Sequence, residues 1–120
     1  AKLYNKAISN YVGSGEFFNT EEFEFGWSSF VKRPDFKSRE KTIQVEVDTL
    51  DNFCFLNNIE KIDFVKIDVE GSELAVLQGA ARLLRENKIS ALQFEYGGTF
   101  PDAGITLHDV MKLLTENGYV

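Results

Sequence analysis

Three acidic side chains stand where a predicted strand gives way to a predicted helix, and they are the residues best placed for chemistry. Residues 63–73 read Asp-Phe-Val-Lys-Ile-Asp-Val-Glu-Gly-Ser-Glu, a buried strand that turns on a glycine and leads directly into a helix. Asp68, Glu70 and Glu73 therefore lie at the end of that strand. Because ligands of open α/β sheets bind at the carboxyl ends of strands, we predict a functional site here.

Glu95 ends the next predicted strand and is the expected partner of Asp68. Adjacent parallel strands bring their carboxyl ends together, so the two carboxylates could share a proton, which raises one pKa and creates a general base. We therefore predict that Asp68 and Glu95 are catalytic. The residues expected to contact the substrate around them are Glu70, Glu73, Tyr96 and Gly97.

Structural roles remain open for the same acidic residues. Asp68 can cap the helix that follows, and Glu70 and Glu73 can stabilise its amino terminus through the helix dipole.

His108, the only histidine, is predicted to be an exposed residue in the first turn of the last helix. Cys54, the only cysteine, is predicted to be half-buried, and a single cysteine gives no spacing that predicts a metal site.

Strands and helices alternate in the second half of the chain. We predict strands over Ile62–Val69, covered on both faces, and over Ile89–Glu95, with a helix over Ser72–Asn87 between them. This order predicts two adjacent parallel strands joined by a crossover helix. A loop over Gly97–Gly104 leads to a last helix that begins at a capping box and ends at Gly118. The predicted buried faces are Leu74, Leu77, Ala81 and Leu84 on the first helix, and Leu107, Val110, Met111 and Leu114 on the last.

The first half of the chain predicts strands, turns and one short helix. The predicted strands are Leu3–Ile8 and residues 16–18, 22–25 and 43–47, with a turn at residues 13–15 and a loop over about residues 28–41. Thr49 then caps a short helix with Leu50, Phe53 and Leu56 facing inward. Seven of the eleven phenylalanines fall in or just after the first third, either as a large aromatic core or as a surface that packs against something else.

Length and charge exclude several classes of function. The 120 residues form one predicted domain with one modest core. A formal net charge of −6 argues against nonspecific binding to nucleic acid or to an anionic membrane, because both favour surfaces rich in Lys and Arg. No apolar stretch approaches the ~18 residues of a membrane span, and the amino terminus lacks a signal-peptide pattern. We therefore expect a cytoplasmic protein.

Several motifs resemble those of the FkbM family of S-adenosylmethionine-dependent methyltransferases. They are Thr49-Leu50-Asp51, the run over residues 63–73, Val76-Leu77-Gln78-Gly79-Ala80, and the strand Leu92–Tyr96 that carries a glutamate near its end. Residues 5–10 and Gly13 are similar to the family's third strand and its exit, so the resemblance covers essentially the whole chain. It implies a partial Rossmann-like sheet of parallel strands with crossover helices, plus an amino-terminal β-hairpin or meander. It also implies methylation of a small-molecule hydroxyl, of sugar or polyketide type, with S-adenosylmethionine as cofactor.

Two family elements are absent from the sequence. One is the first strand with its Asp-x-Gly-Ala-Asn-x-Gly loop, and the other is the second strand, whose terminal acid holds the cofactor's ribose. We therefore expect the carboxyl-terminal half of such a domain, which by itself binds S-adenosylmethionine weakly or not at all. The strand edges left without a family partner indicate new strand pairing, a homodimer or a fragment of a longer protein, and we expect the chain to self-associate, most simply as a two-fold homodimer. The alternative function is a non-catalytic oligomerisation or binding module.

Overall fold

The computed structural model describes residues 1–20, 28–30 and 40–120, which form two sheets and five helices. The strand predicted for residues 22–25, and most of the loop predicted after it, lie outside this part of the chain. The described residues nevertheless mix parallel strands with helices, as the predicted α/β class requires. None of the described helices combines the length and the hydropathy that crossing a bilayer requires.

The first sheet contains the strands of the amino-terminal half. They are β1 (Ala7–Ile8), β2 (Gly13–Thr20), β3 (Ser28–Ser29) and β4 (Glu40–Asp48), in the spatial order β1-β4-β2-β3. Strands β2 and β4 pair antiparallel, from Gly13 opposite Val47 to Thr20 opposite Glu40. The alternation of apolar and polar residues that predicted a strand over residues 43–47 is therefore confirmed.

The turn predicted at residues 13–15 is wrong, because these residues begin β2 and the chain bends at residues 10–12 instead. Close packing accounts for Gly15. A Cβ atom there would lie 2.6 Å from the Tyr11 hydroxyl and 3.2 Å from Val47 Cγ2. The glycine thus leaves room for the Tyr11 side chain and for Val47 on the neighbouring strand, a contact that local turn chemistry does not reveal.

Strand β1 is shorter than predicted and has a partner that sequence order did not indicate. It covers two residues instead of six, and it pairs in parallel with β4, with Ala7 opposite Val47 and Ile8 opposite Asp48. The Ser9 amide continues the ladder by donating to the Asp48 carbonyl oxygen at 2.8 Å. New strand pairing, which was one of the outcomes expected for this strand, is thus observed.

The first helix, α1 (Leu50–Leu56), begins where predicted. The Thr49 hydroxyl accepts a hydrogen bond from the Asn52 amide at 3.1 Å, and Leu50 and Phe53 pack against the core. The inward orientation predicted for Leu56 is wrong, since Leu56 is 62% exposed. Cys54 is fully buried rather than half-buried, because it lies on the side of this short helix that faces the core.

The single helix predicted over Ser72–Asn87 is two helices, α2 (Glu73–Gln78) and α3 (Ala81–Arg85). The break has a tertiary cause: the Asp51 carboxylate accepts hydrogen bonds from the Arg82 amide at 2.7 Å and the Leu83 amide at 3.0 Å. These amides belong to the first turn of α3, so Asp51 caps a helix that lies far from it in sequence. Because α3 begins as a separate helix, Ala81 is exposed, and its predicted burial is wrong. Leu77 and Leu84 are buried as predicted, and Leu74 is half-buried.

The second sheet pairs β5 (Val65–Ile67) with β6 (Leu92–Phe94). The two strands are adjacent and parallel, and α2 and α3 form the crossover between them, as predicted. Both strands are shorter than predicted, although a bridge between Ile62 and Ile89 continues the pairing. The prediction that the first of these strands is covered on both faces is wrong, because Phe64, Lys66 and Asp68 are exposed on one side of it.

The last two helices complete the core. Helix α4 (Thr99–Asp102) occupies part of the region predicted as a loop, because Phe100 inserts into the core and anchors it. Helix α5 (Leu107–Glu116) begins with the predicted capping box between Thr106 and Asp109. Val110 and Leu114 are buried as predicted, whereas Leu107 and Met111 are exposed, against prediction, and His108 is exposed as predicted.

The capping role of Asp51 predicts a measurable loss of stability. Replacing Asp51 with Ala removes the acceptor of both α3 amides, and we expect the free energy of unfolding to fall by about 1 kcal/mol. Asp63→Ala is the matched control, since Asp63 is exposed and lies outside every described helix. Urea denaturation followed by circular dichroism measures both variants. Equal stability of the two variants would show that the cap at Asp51 does not hold α3.

Candidate functional site

Asp68 and Glu95 follow β5 and β6 at matching positions. The register pairs Val65 with Leu92 and Ile67 with Phe94, so the next residues, Asp68 and Glu95, stand side by side where the strands end. The Glu95 amide donates to the Ile67 carbonyl oxygen at 3.2 Å, which continues the ladder to this point. Both acidic residues are exposed. The structure thus brings the two predicted catalytic residues together at one end of the sheet.

Lys66 links the two carboxylates. Its Nζ lies 3.1 Å from Asp68 Oδ2, within hydrogen-bond distance, and 3.9 Å from Glu95 Oε1. The hydrogen bond and the charge of Asp68 raise the pKa of the Lys66 ammonium, and the charge of Glu95 adds to this effect. The carboxylates therefore flank a cation.

Sequence reasoning missed Lys66 as a member of the site. The missed signal was the period of a β-strand, in which residues two apart point to the same face. Because Lys66 precedes Asp68 by two residues, its side chain had to lie on the face that carries the carboxylate.

Glu73 is a buried carboxylate that holds the turn after β5. Its Oε1 accepts from the Val69 amide at 3.2 Å, and its Oε2 accepts from the Gly71 amide at 2.9 Å. Within the turn, Glu70 has a φ of 52° and Gly71 a φ of 103°, and this left-handed backbone is fixed by the two hydrogen bonds. A substrate contact from Glu73 would require this turn to open, so its predicted substrate-binding role stays a prediction, as does that of half-buried Glu70.

Tyr96 and Gly97 follow Glu95 on an accessible surface. Tyr96 is 59% exposed, and its ring packs edge to face on Phe100 with the ring centroids 4.9 Å apart. A Cβ atom at Gly97 would meet no atom within 4 Å, so open space adjoins this residue. Both residues therefore leave room beside Glu95. This open space is the reason why they were predicted to contact a substrate.

A cleft of about 570 Å³ lies between β1 and β5, and we call it the β1–β5 cleft. Residues 5–8 line one side of it and residues 65–69 line the other, so Lys66 and Asp68 belong to its wall. Glu95, Tyr96 and Gly97 are not among its lining residues. The other described residues that line the cleft are Phe17, Ile43 and Val45 of the first sheet, Phe30 directly after β3, and Leu50 and Val76 of the helices.

A second lysine–carboxylate cluster lies beside the same cleft and was also missed from sequence. Lys6 Nζ is 2.6 Å from Glu46 Oε1 and 3.5 Å from Asp48 Oδ2. Burial acts to raise the pKa of Asp48, but hydrogen bonds from the Asn52 side chain and the Thr49 amide, together with the charge of Lys6, outweigh it and lower that pKa. Asp48 is therefore a structural anion that anchors the start of α1.

An α/β fold that carries carboxylates and a lysine at the ends of parallel strands, beside an apolar cleft, is typical of enzymes that act on small molecules. The chain belongs to the FkbM methyltransferase domain family: the family profile described as Methyltransferase FkbM domain matches residues 2–120. The resemblance inferred from the sequence motifs is thereby confirmed. Neither a curated protein nor a solved structure matches the chain.

Methyltransferases of this family use S-adenosylmethionine in general, but the described residues do not fit that cofactor. A nucleotide is usually held by backbone amides in a glycine-rich turn between a strand and a helix. The glycine-containing turn beside the cleft is the one after β5, and its Gly71 amide already donates to Glu73. In the described part of the chain, no three His, Cys, Asp or Glu side chains come together in a group that could hold a metal ion.

Proposed function

We propose that this chain forms the acceptor side of an S-adenosylmethionine-dependent O-methyltransferase site. The acceptor is the hydroxyl of a small molecule, of sugar or polyketide type, and the two parallel strands are part of a Rossmann-like sheet. The observation that supports this proposal is the Lys66 ammonium between the carboxylates of Asp68 and Glu95, at the wall of the β1–β5 cleft. Family membership supplies the reaction class, and this cluster supplies groups suited to its acceptor.

S-adenosylmethionine would supply the methyl group, whose bond to sulfur breaks with its electron pair left on the departing sulfur as the new O–C bond forms. The proton of the acceptor hydroxyl must then pass to a base. In the proposed site the hydroxyl donates a hydrogen bond to the Asp68 carboxylate, which then accepts the proton as general base. The Lys66 ammonium donates a hydrogen bond to the hydroxyl oxygen of the acceptor and stabilises the negative charge that develops on that oxygen. Glu95 holds the ammonium from the other side and keeps it positioned next to Asp68.

The roles of the pair differ from those inferred at first. The general base was predicted on the basis of a proton shared between two adjacent carboxylates. In the structure, the Lys66 ammonium lies near both carboxylates instead. Asp68 is therefore the base in our proposal, because it is the carboxylate that both contacts Lys66 most closely and lines the cleft. Glu95 becomes a positioning residue.

The proposed base predicts the effect of one isosteric change. Asp68→Asn removes the proton acceptor while keeping the shape of the side chain, so we expect kcat/KM for methyl transfer to fall about a hundredfold. The measurement is transfer of labelled methyl from S-adenosylmethionine to hydroxyl compounds, using the protein together with any residues that flank these 120. Glu60→Gln is the control, since Glu60 is an exposed acid that is not among the residues lining the cleft. Full turnover by Asp68→Asn would refute the proposed base.

A further inference from the structure

Asp68 lies between two residues whose backbone groups are hydrogen-bonded. On one side, the Ile67 carbonyl oxygen accepts from the Glu95 amide at 3.2 Å, where the pairing of β5 with β6 ends. On the other side, the Val69 amide donates to Glu73 Oε1 at 3.2 Å. This amide belongs to the peptide bond that joins Asp68 to Val69. The backbone of Asp68 is therefore held on one side by the sheet and on the other by the Glu73 side chain.

The Asp68 side chain itself is only partly covered. It is 41% exposed, and its carboxylate contacts Lys66 Nζ at 3.1 Å. Because an exposed side chain can adopt several rotamers, packing does not fix the position of this carboxylate. The direction of the Cα–Cβ bond then decides whether the carboxylate can reach Lys66, and the backbone sets that direction. The two hydrogen bonds that hold the backbone of Asp68 thus also govern its contact with Lys66.

The turn that Glu73 holds is costly to form. Glu73 is 1% exposed, and burying a carboxylate costs free energy unless hydrogen bonds compensate for the lost water. Its two oxygens accept from the amides of Val69 and Gly71. Glu70 and Gly71 have φ angles of 52° and 103°, and a left-handed backbone persists only where its surroundings enforce it. Such conformations cluster at functional sites, where they hold a reactive group in place.

We propose that Glu73 is a positioning residue for methyl transfer, which fixes the peptide group after Asp68 and thereby keeps the Asp68 carboxylate beside Lys66. Glu73 does not contact the acceptor, so its role differs from the substrate contact expected from the sequence. This inference rests on the proposed function, in which Asp68 is the base. Misplacing a catalytic group by about 1 Å can lower a rate by as much as a hundredfold, so a residue that acts only through another can still have a large effect.

A double-mutant cycle tests whether Glu73 acts through Asp68. Glu73→Gln keeps the size of the side chain but replaces one acceptor oxygen by an NH₂ group, so one of the two hydrogen bonds is lost. In the methyl-transfer assay described for Asp68→Asn, we expect kcat to fall about tenfold and KM to change by less than about twofold. In the Asp68→Asn background, the same change should lower kcat by less than about twofold, because the base that Glu73 positions is already absent.

Two control variants accompany the cycle. Leu77→Ala controls for lost stability alone, since Leu77 is buried in the core and is not among the residues lining the cleft. At a temperature at which circular dichroism shows the protein to be folded, Leu77→Ala should keep the kcat of the unmodified protein. Glu60→Gln repeats the isosteric change at an exposed acid and should also leave kcat unchanged.

Hydrogen exchange tests the same contact in the unmodified chain. Followed by NMR, the amides of Val69 and Gly71 should exchange at least about tenfold more slowly than the amide of Gly98, which is exposed. Glu73→Gln should speed the exchange of these two amides and leave the amides of α5 unchanged. Because the first of these measurements needs no substitution, it also tests the contact if Glu73→Gln does not fold.

Each part of the proposal can be overturned separately. Fast exchange at Val69 and Gly71 in the unmodified chain would show that Glu73 does not hold the turn. Full kcat in Glu73→Gln, or a loss that adds in full to that of Asp68→Asn, would show that Glu73 does not act through Asp68. A raised KM with unchanged kcat would make Glu73 a substrate contact instead. These results leave the proposed base intact, whereas full turnover by Asp68→Asn would refute the base itself.

Discussion

Gly79→Ala is expected to lower the free energy of unfolding by about 1–3 kcal/mol. A Cβ atom at Gly79 would lie 2.0 Å from the Ser9 carbonyl oxygen and 3.0 Å from its carbon. These are backbone atoms at the exit of β1, so no side-chain rotation can relieve the clash. The two segments would have to separate, and overpacking of this kind is strongly destabilising.

Local backbone preference predicts the opposite sign for this change. Gly79 has a φ of −71°, which suits alanine, and alanine is favoured over glycine in a helix by roughly 1 kcal/mol. The sign of the effect therefore reports whether packing against Ser9 outweighs helix propensity. Urea denaturation, with the slope of the transition checked for two-state behaviour, gives that sign directly.

Gly97→Ala is the matched control for this experiment. A Cβ atom at Gly97 meets nothing within 4 Å, and its φ lies outside the left-handed region. We expect a neutral change, or a gain of up to about 1 kcal/mol from a less flexible unfolded chain. If Gly79→Ala were as stable as Gly97→Ala, then β1 would not pack against α2 at this point.

Leu77→Ala is expected to destabilise the chain by about 2–5 kcal/mol. Leu77 is 1% exposed and belongs to the core that joins α2 to β5, α3 and α5. Truncation removes buried apolar surface and leaves a cavity that the surrounding residues fill only in part. Denaturation by urea should give a lower midpoint with little change in slope, because the extent of unfolding is the same.

The control for Leu77 is the same substitution at a surface leucine. Leu56 is 62% exposed, so Leu56→Ala should change the free energy of unfolding by less than about 0.5 kcal/mol. This comparison holds the chemical change constant and varies only burial. Similar losses at the two positions would mean that α2 does not pack its apolar face into the core.

Local sequence signals were sufficient for the element types and for the position of the site. Thr49, Thr106 and Asp109 predicted two helix starts, because a helix cap involves residues within one turn of each other. The order of strands and helices predicted that β5 and β6 are parallel neighbours, which placed Asp68 beside Glu95. The family could also be inferred at this level, since its motifs are contiguous runs of residues.

Contacts between distant residues decided what the sequence left open. The break between α2 and α3 depends on Asp51, which caps α3 from another helix, and a continuous apolar period cannot reveal it. The pairing of β1 with β4 joins segments about forty residues apart, a separation at which no local rule applies. The packing of Gly15 and Gly79 against distant atoms is a fact of the same kind.

The site itself divides in the same way. The sequence was sufficient to place Asp68 and Glu95 at the carboxyl ends of two neighbouring parallel strands, because the succession of strand, helix and strand is read from contiguous residues. Only the tertiary structure showed that Lys66 reaches both carboxylates, that Glu73 is used by the turn after β5, and that Asp68 borders an apolar cleft. The physical reason is that side-chain partners and cavities are set by the meeting of two sheets, whose relative placement no single segment encodes.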